Sequence, residues 1–291
     1  MIKRIVFLMF SVALTLWSCS DDGTNPKVDP LQLTFQITHA SSYGADDGAV
    51  DLTVTGGNAP YSFVWSNGKN TEDIDQLSAG MYCVTVTDDH NEQVEDSVEV
   101  TQPNTSTVTD IDGNIYQTVL IGNQWWMAEN LRVTHDPQGN EIVSCYYNDD
   151  ADNLNTYGRL YTWDVAMNGE TGAGAQGIAP DGWHIPSVAD WQELIDHLGG
   201  AAVAGKEMKE SGTVHWISPN DGTNSSGLSI LPSGEKDGSY QFLGQYSVIW
   251  TSNYFGSTQA RYYTLKHDES QIVLRNWNRD LSYAIRCVKD D

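Results

Sequence analysis

Between residues 31 and 103 the apolar residues fall on alternate positions, a pattern that fits short antiparallel strands and little else. Val50, Leu52 and Val54 are interleaved with polar neighbours, and so are Tyr61, Phe63 and Trp65, then Tyr82, Val84 and Val86, then Val98 and Val100. A period of two sends one face of each run into a core and the other into water. Gly56-Gly57-Asn58-Ala59-Pro60, Ser66-Asn67-Gly68-Lys69 and Ser78-Ala79-Gly80 break the runs at short intervals. Glycine, proline and asparagine at this spacing are turn residues, and the pattern predicts a small all-β sandwich over 31–103.

From about Thr109 the character changes. Tryptophan and tyrosine become dense, glycine is frequent, and a helical period appears at Ser187 to Leu198, where Trp191, Leu194, Ile195 and Leu198 share one face. Ser187 with Asp190 three positions on forms a capping pattern, and Gly199-Gly200 ends the run. A weaker helix is predicted over Gly158 to Met167. Asn168 to Asp181 and Ser218 to Gly238 read as long irregular loops, so 104–291 is expected to be an α+β domain with a loop-borne surface. With 291 residues, 40% of them apolar, the chain can fill two cores.

The first residues carry an address. Lys3 and Arg4 precede the apolar run Ile5 to Trp17, too short to span a bilayer permanently, and Ser18 leads into Cys19. Leu16-Trp17-Ser18-Cys19 resembles a bacterial lipobox, which implies a signal peptide over 1–18 and a diacylglycerol on the sulfur of Cys19. Residues 19–30 form a polar, acidic tether with two prolines. Its start, Ser20-Asp21-Asp22, resembles the export signal of outer-membrane lipoproteins that face the medium. The expected location is the outer-membrane surface, with the lipid as the only membrane contact. A formal charge of −24 argues against a nucleic-acid partner, since phosphates are neutralised by Lys and Arg.

Two resemblances refine this outline. GGNAPYSFVWSNGKNTEDIDQLSAGMYCVTVTD (56–88) resembles the SprB-type repeat of large surface adhesins, which implies an immunoglobulin-like or PKD-like sandwich. IGNQWWMAENL (121–131), YGRLYTWDVAM (157–167), DGWHIPSVADWQELI (181–195), IWTSNYFGS (249–257) and YAIRCVKD (283–290) together resemble the Fibrobacter succinogenes major paralogous domain. The third block is also similar to a segment of formylglycine-generating-type enzymes, and both families imply a C-type-lectin-like fold. Those enzymes hold copper on a reactive cysteine pair; here Cys287 stands alone near the end, so the activity does not carry over.

Chemistry-bearing residues are sparse. The seven histidines show neither HxH nor HExxH spacing, and His184, between Trp183 and Ile185, reads as a packed or hydrogen-bonded core residue. There is no GxSxG elbow. Asp149, Asp150 and Asp152 are candidate calcium ligands or turn formers, as are Asp46-Asp47 and Asp88-Asp89; no other cofactor is expected. After Cys19 an odd number of cysteines remains, Cys83, Cys145 and Cys287, and Cys145 with Cys287 is the candidate disulfide because both fall in one domain. Of the aromatics, Trp216, Tyr254, Tyr262 and Trp277 sit among polar and glycine-rich residues and are the candidate ligand-binding set. These features imply a non-catalytic surface lipoprotein whose C-terminal domain binds a glycan or another envelope protein. A purely structural envelope component and a distant enzyme of the formylglycine-generating type are the alternatives.

Overall fold

The structure, a computed structural model, describes residues 28–290. Cys19 and the export signal Ser20, Asp21 and Asp22 lie outside the described residues, as does most of the tether. Among the described residues no helix is long and apolar enough to cross a membrane. The described residues divide into two compact units, one holding residues 28–37, Val50–Ile74 and Met81–Val98, the other holding Thr38–Ala49, Asp75–Gly80 and residues 99–290.

The N-terminal region is all β. Its strands are β1 (Gln32–Thr38), β2 (Gly48–Thr55), β3 (Ser62–Trp65), β4 (Ile74–Leu77), β5 (Gly80–Thr87) and β6 (Gln93–Val100). They form two three-stranded sheets of order β1-β2-β4 and β3-β5-β6. Alternation decides which side chains go inward: Val50, Leu52, Trp65, Val84, Val86 and Val98 are buried. Phe35 meets Trp65 edge-on with ring centroids 6.3 Å apart, and the indole N–H of Trp65 donates to the Thr71 carbonyl at 2.9 Å. The turn at Ser66–Lys69 forms as its sequence predicts, with Gly68 at φ +85° and its N–H bonded to Trp65 O.

The C-terminal region contains β7 (Thr105–Thr109), β8 (Ile115–Ile121), β9 (Gln124–Met127), α1 (Ala151–Tyr157), β10 (Leu160–Thr162), α2 (Trp163–Met167), β11 (Trp183–His184), α3 (Val188–His197) and α4 (Ala201–Met208). These are followed by β12 (Glu235–Asp237), β13 (Ser239–Gln241), β14 (Tyr246–Phe255), β15 (Gln259–Lys266), β16 (Ile272–Asn278), β17 (Ser282–Ala284) and β18 (Val288–Lys289). One sheet runs β11-β18-β9-β8-β7 and a larger one β13-β12-β17-β14-β15-β16, with β10 also on β17. The last strand pairs with an early one, Val288 opposite Trp126, so the region closes on itself.

Two cores flank the larger sheet because β14 and β15 are apolar on both faces. On one side Ile249, Tyr263, Leu265 and Ile272 pack with Trp191, Leu194, Ala204 and Met208 of α3 and α4. On the other, Val248, Trp250, Ala260 and Tyr283 pack with Trp163, Met167, Ile178 and Ile185. The capping box forms as its sequence predicts, with Ser187 accepting from Asp190 N and the Asp190 side chain accepting from the Ser187 backbone. Gly158 to Met167 is a different matter. Residues 160–162 form a strand, and only Trp163–Met167 is helical. The antiparallel ladder Leu160 to Ala284, Tyr161 to Tyr283 and Thr162 to Ser282 claims those backbone groups, a long-range pairing that local periodicity does not reveal.

Candidate functional site

The larger sheet carries an open cleft of about 660 Å³, floored by Tyr262 and Tyr283 and walled by β12 on one side and β16 on the other. Register explains which side chains reach it. Tyr262 stands opposite both Trp250 and Arg275, and Trp277 stands opposite Ala260, so all of them share the face that carries Trp250. Beneath the floor Trp250 is fully buried, its ring 4.2 Å from Tyr283 and 5.7 Å from Tyr262, and its indole N–H donates to Tyr161 O at 2.9 Å. That hydrogen bond and the ring contacts fix the height and tilt of the floor. Trp277 is 54% exposed beside it.

The opposite wall starts at Gly234, whose φ of +64° brings the backbone against Gln241 O; a Cβ there would sit 2.4 Å from that oxygen. Glu235 and Asp237 follow on alternate positions of β12, and both line the cleft, while Lys236 between them lies with its ammonium 4.8 Å from the Tyr240 ring centre. Burial, and then the nearby Asp237 charge, push the Glu235 carboxyl above its usual range. Burial raises the Tyr283 phenol as well, with the Glu235 charge as the next cause.

The four aromatics picked from sequence part company here. Tyr262 and Trp277 converge on the cleft. Tyr254, 59% exposed, is not among the lining residues but shares their face, since it stands opposite Ala260, which stands opposite Trp277. Trp216 has to be removed from the set. It is 0% exposed, its indole N–H donates to Ile230 O at 3.0 Å, and the Lys209 ammonium lies over its ring at 5.5 Å. Its polar sequence neighbours belong to a loop that turns the indole into the core.

The candidate disulfide is corrected too. Cys145 and Cys287 are free thiols in different cores. Cys145 is half-buried with its thiol near Leu160 O, whereas Cys287 is fully buried and its thiol is pushed up by burial. Cys83 is free and exposed.

Of the candidate calcium ligands, Asp149, Asp150, Asp46, Asp47 and Asp88 hold donors in local structure, while Asp152 and Asp89 take part through their backbone N–H groups. Asp149 accepts from the Tyr240 hydroxyl at 2.8 Å, and Asp150 caps α1 by accepting from Asp152 N. Asp46 accepts from the Ser78 hydroxyl and Asp47 from Ser41, while Asp88 accepts from the N–H groups of Asn58, His90 and Glu92. Among the described residues no three His, Cys, Asp or Glu side chains converge as metal ligands.

His184 is hydrogen-bonded as its sequence context suggests, with Nδ1 2.6 Å from Asp290 and Nε2 3.3 Å from Asp190. Burial would lower the imidazole, but its bonds to Asp190 and Asp290 outweigh burial and raise it above 6.5. Burial would raise Asp190, but its bonds to His184 and Ser187 hold it below 3.8. The raised histidine contributes stability fully below pH 6.5 and loses it as pH rises through the folded value. The lowered aspartate contributes fully above pH 3.8 and loses it as pH falls through its folded value. Replacing His184 by Gln is therefore expected to lower the melting temperature most between those two pH values, with the deficit shrinking in alkali. A deficit that stays the same across the pH range would disprove this role.

Sequence reasoning missed Glu235 and Asp237, which stand at the end of a segment that reads as loop. The available signal was the alternation Glu235-x-Asp237 between Gly234 and Gly238. Residues 34–70 match the SprB repeat, and residues 119–289 match the Fibrobacter succinogenes major domain. No curated protein and no solved structure matches the chain. The combination marks a surface- or adhesion-related protein. The second match includes every residue of the cleft and more than half of the chain, and the protein belongs to the Fibrobacter succinogenes major domain family.

Proposed function

We propose that this protein is a non-catalytic lipoprotein of the outer-membrane surface, acylated at Cys19 and exported through Ser20-Asp21-Asp22, that binds a glycan in the cleft of its C-terminal domain. The observation that carries the reading is Trp277, 54% exposed beside a cleft floored by the half-buried Tyr262, with the buried Tyr283 supporting it. A large apolar ring exposed at the rim of a cleft supports an interaction site, and flat aromatic faces suit the C–H faces of a sugar ring. The polar groups that would set specificity, Glu235, Asp237, Arg275 and Asn276, line the same cleft.

Two three-stranded sheets support an immunoglobulin-like spacer, and the pairing of β18 with β9 supports a C-type-lectin-like C-terminal domain. Binding without turnover is supported by the cysteines. Formylglycine-type chemistry needs a reactive pair, whereas Cys287 is buried with a raised thiol and Cys145 lies in the other core. A second envelope protein as ligand is the alternative.

The test is a glycan array probed with the purified full-length chain and its Trp277→Ala variant. Saccharide hits that vanish in the variant are expected. An empty array, with an envelope protein co-purifying through the same domain, would replace the glycan by a protein partner.

A further inference from the structure

The cleft has walls of unequal character. Strand alternation sends Glu235 and Asp237 to its side and Lys236 away from them, so two carboxylates stand together without the cation that separates them in sequence. Among the described residues neither carboxylate has an ion pair or a side-chain hydrogen bond. Asp88, Asp136, Asp149, Asp190 and Asp221, by contrast, all hold donors. Glu235 is half-buried, so an unpaired charge there is costly, and burial and the Asp237 charge both act against its ionised form. A cation placed between the two would relieve both costs.

Arg275, on the facing wall, is the one basic residue that lines the cleft. It is exposed, makes no ion pair with either carboxylate, and its charge is felt by Tyr262 and by Glu269 outside the cleft. Water screens it, and it leaves the acidic wall unneutralised. The aromatic floor adds to the attraction, since ring faces carry negative potential. A net charge of −24 favours a cationic ligand over an anionic one at long range.

Resting on the glycan reading above, we infer that the cleft selects an amino sugar, whose protonated amine sits against Glu235 and Asp237 while its ring lies on Tyr262 and Trp277. A neutral or N-acetylated sugar would cover Glu235 without pairing it and would lose that contact.

The test compares a glucosamine hexasaccharide with its fully N-acetylated counterpart, titrated at mildly acidic pH into the full-length chain in a non-ionic detergent. The free amine form is expected to bind about 10-fold more tightly, the scale of one buried charge pairing. Glu235→Gln is expected to abolish most of that preference, and Trp277→Ala to weaken both ligands. Glu99→Gln, which removes an exposed acid elsewhere, should leave the preference unchanged.

Equal affinities in the wild type, or an equal loss of preference in the Glu99 and Glu235 variants, would overturn the amino-sugar inference and leave glycan binding standing. Failure of either ligand to bind, together with an empty array, would remove both. Because Glu235 is disfavoured in its charged form, Glu235→Gln should melt at or above the wild-type temperature. A lower melting temperature would mean that the protein itself holds the carboxylate, and would also overturn the inference.

Discussion

Lys209→Met is expected to destabilise the C-terminal region by about 3–5 kcal/mol, the summed scale of the charge-assisted hydrogen bonds that one buried ammonium makes to four acceptors. The Lys209 side chain is 0% exposed, and its ammonium donates to Asp221 at 2.6 Å and to the carbonyls of Lys266, Glu269 and His267 at 2.9, 3.0 and 3.3 Å. It thereby ties the end of α4 to the turn that follows β15. Methionine fills the volume and offers no donor, so three carbonyls and a carboxylate lose a shared partner. Lys209→Arg should not rescue it, because a planar fork cannot match four acceptors gathered round a point charge. Thermal melting followed by circular dichroism should show the C-terminal transition falling by roughly 10 °C. A shift below about 2 °C would mean that solvent satisfies these groups and that the buried ammonium is dispensable.

Trp250→Ala should be comparable, at about 3–5 kcal/mol for a fully buried tryptophan. The substitution empties the space under Tyr262 and Tyr283 and leaves Tyr161 O without the indole N–H. Trp250→Phe keeps a ring there and should cost less, about 1–3 kcal/mol from the lost hydrogen bond and the smaller volume. Denaturant unfolding of both variants checks the order. The Ala variant is also expected to bind glycan poorly, because the cleft floor would sink, whereas Trp277→Ala should impair binding with an unchanged unfolding curve. If Trp250→Ala left ligand affinity intact, the floor would not depend on Trp250.

Much of this was legible along the chain, for identifiable reasons. The N-terminal strands could be read because each buries one face only, so Val50, Leu52, Val84 and Val86 advertise the period directly. Helix α3 could be read because its start signal, Ser187 with Asp190, is local chemistry. Helix α4 begins directly after the Gly199-Gly200 pair that ends α3 and is rich in alanine and short of large apolar residues, so its period is faint. The cleft was half legible. Tyr262 and Trp277 stood out as aromatics among polar residues, and so did Trp216, which the structure buries. Composition around a residue cannot tell a loop that presents its tryptophan from one that folds it inward; that depends on a partner as distant as Ile230 O. Glu235 and Asp237 were hidden because a three-residue strand is too short to show a period, and because its pairing with β17 joins Lys236 to Ser282 across the chain.

The aromatic cleft of the C-terminal domain is proposed to take a saccharide. Titration calorimetry of the strongest array ligand against the wild-type chain and Trp277→Ala tests it most directly. At least a 10-fold loss of affinity, about 1.4 kcal/mol, is expected in a variant that melts like the wild type. Equal affinity in the two proteins would contradict it.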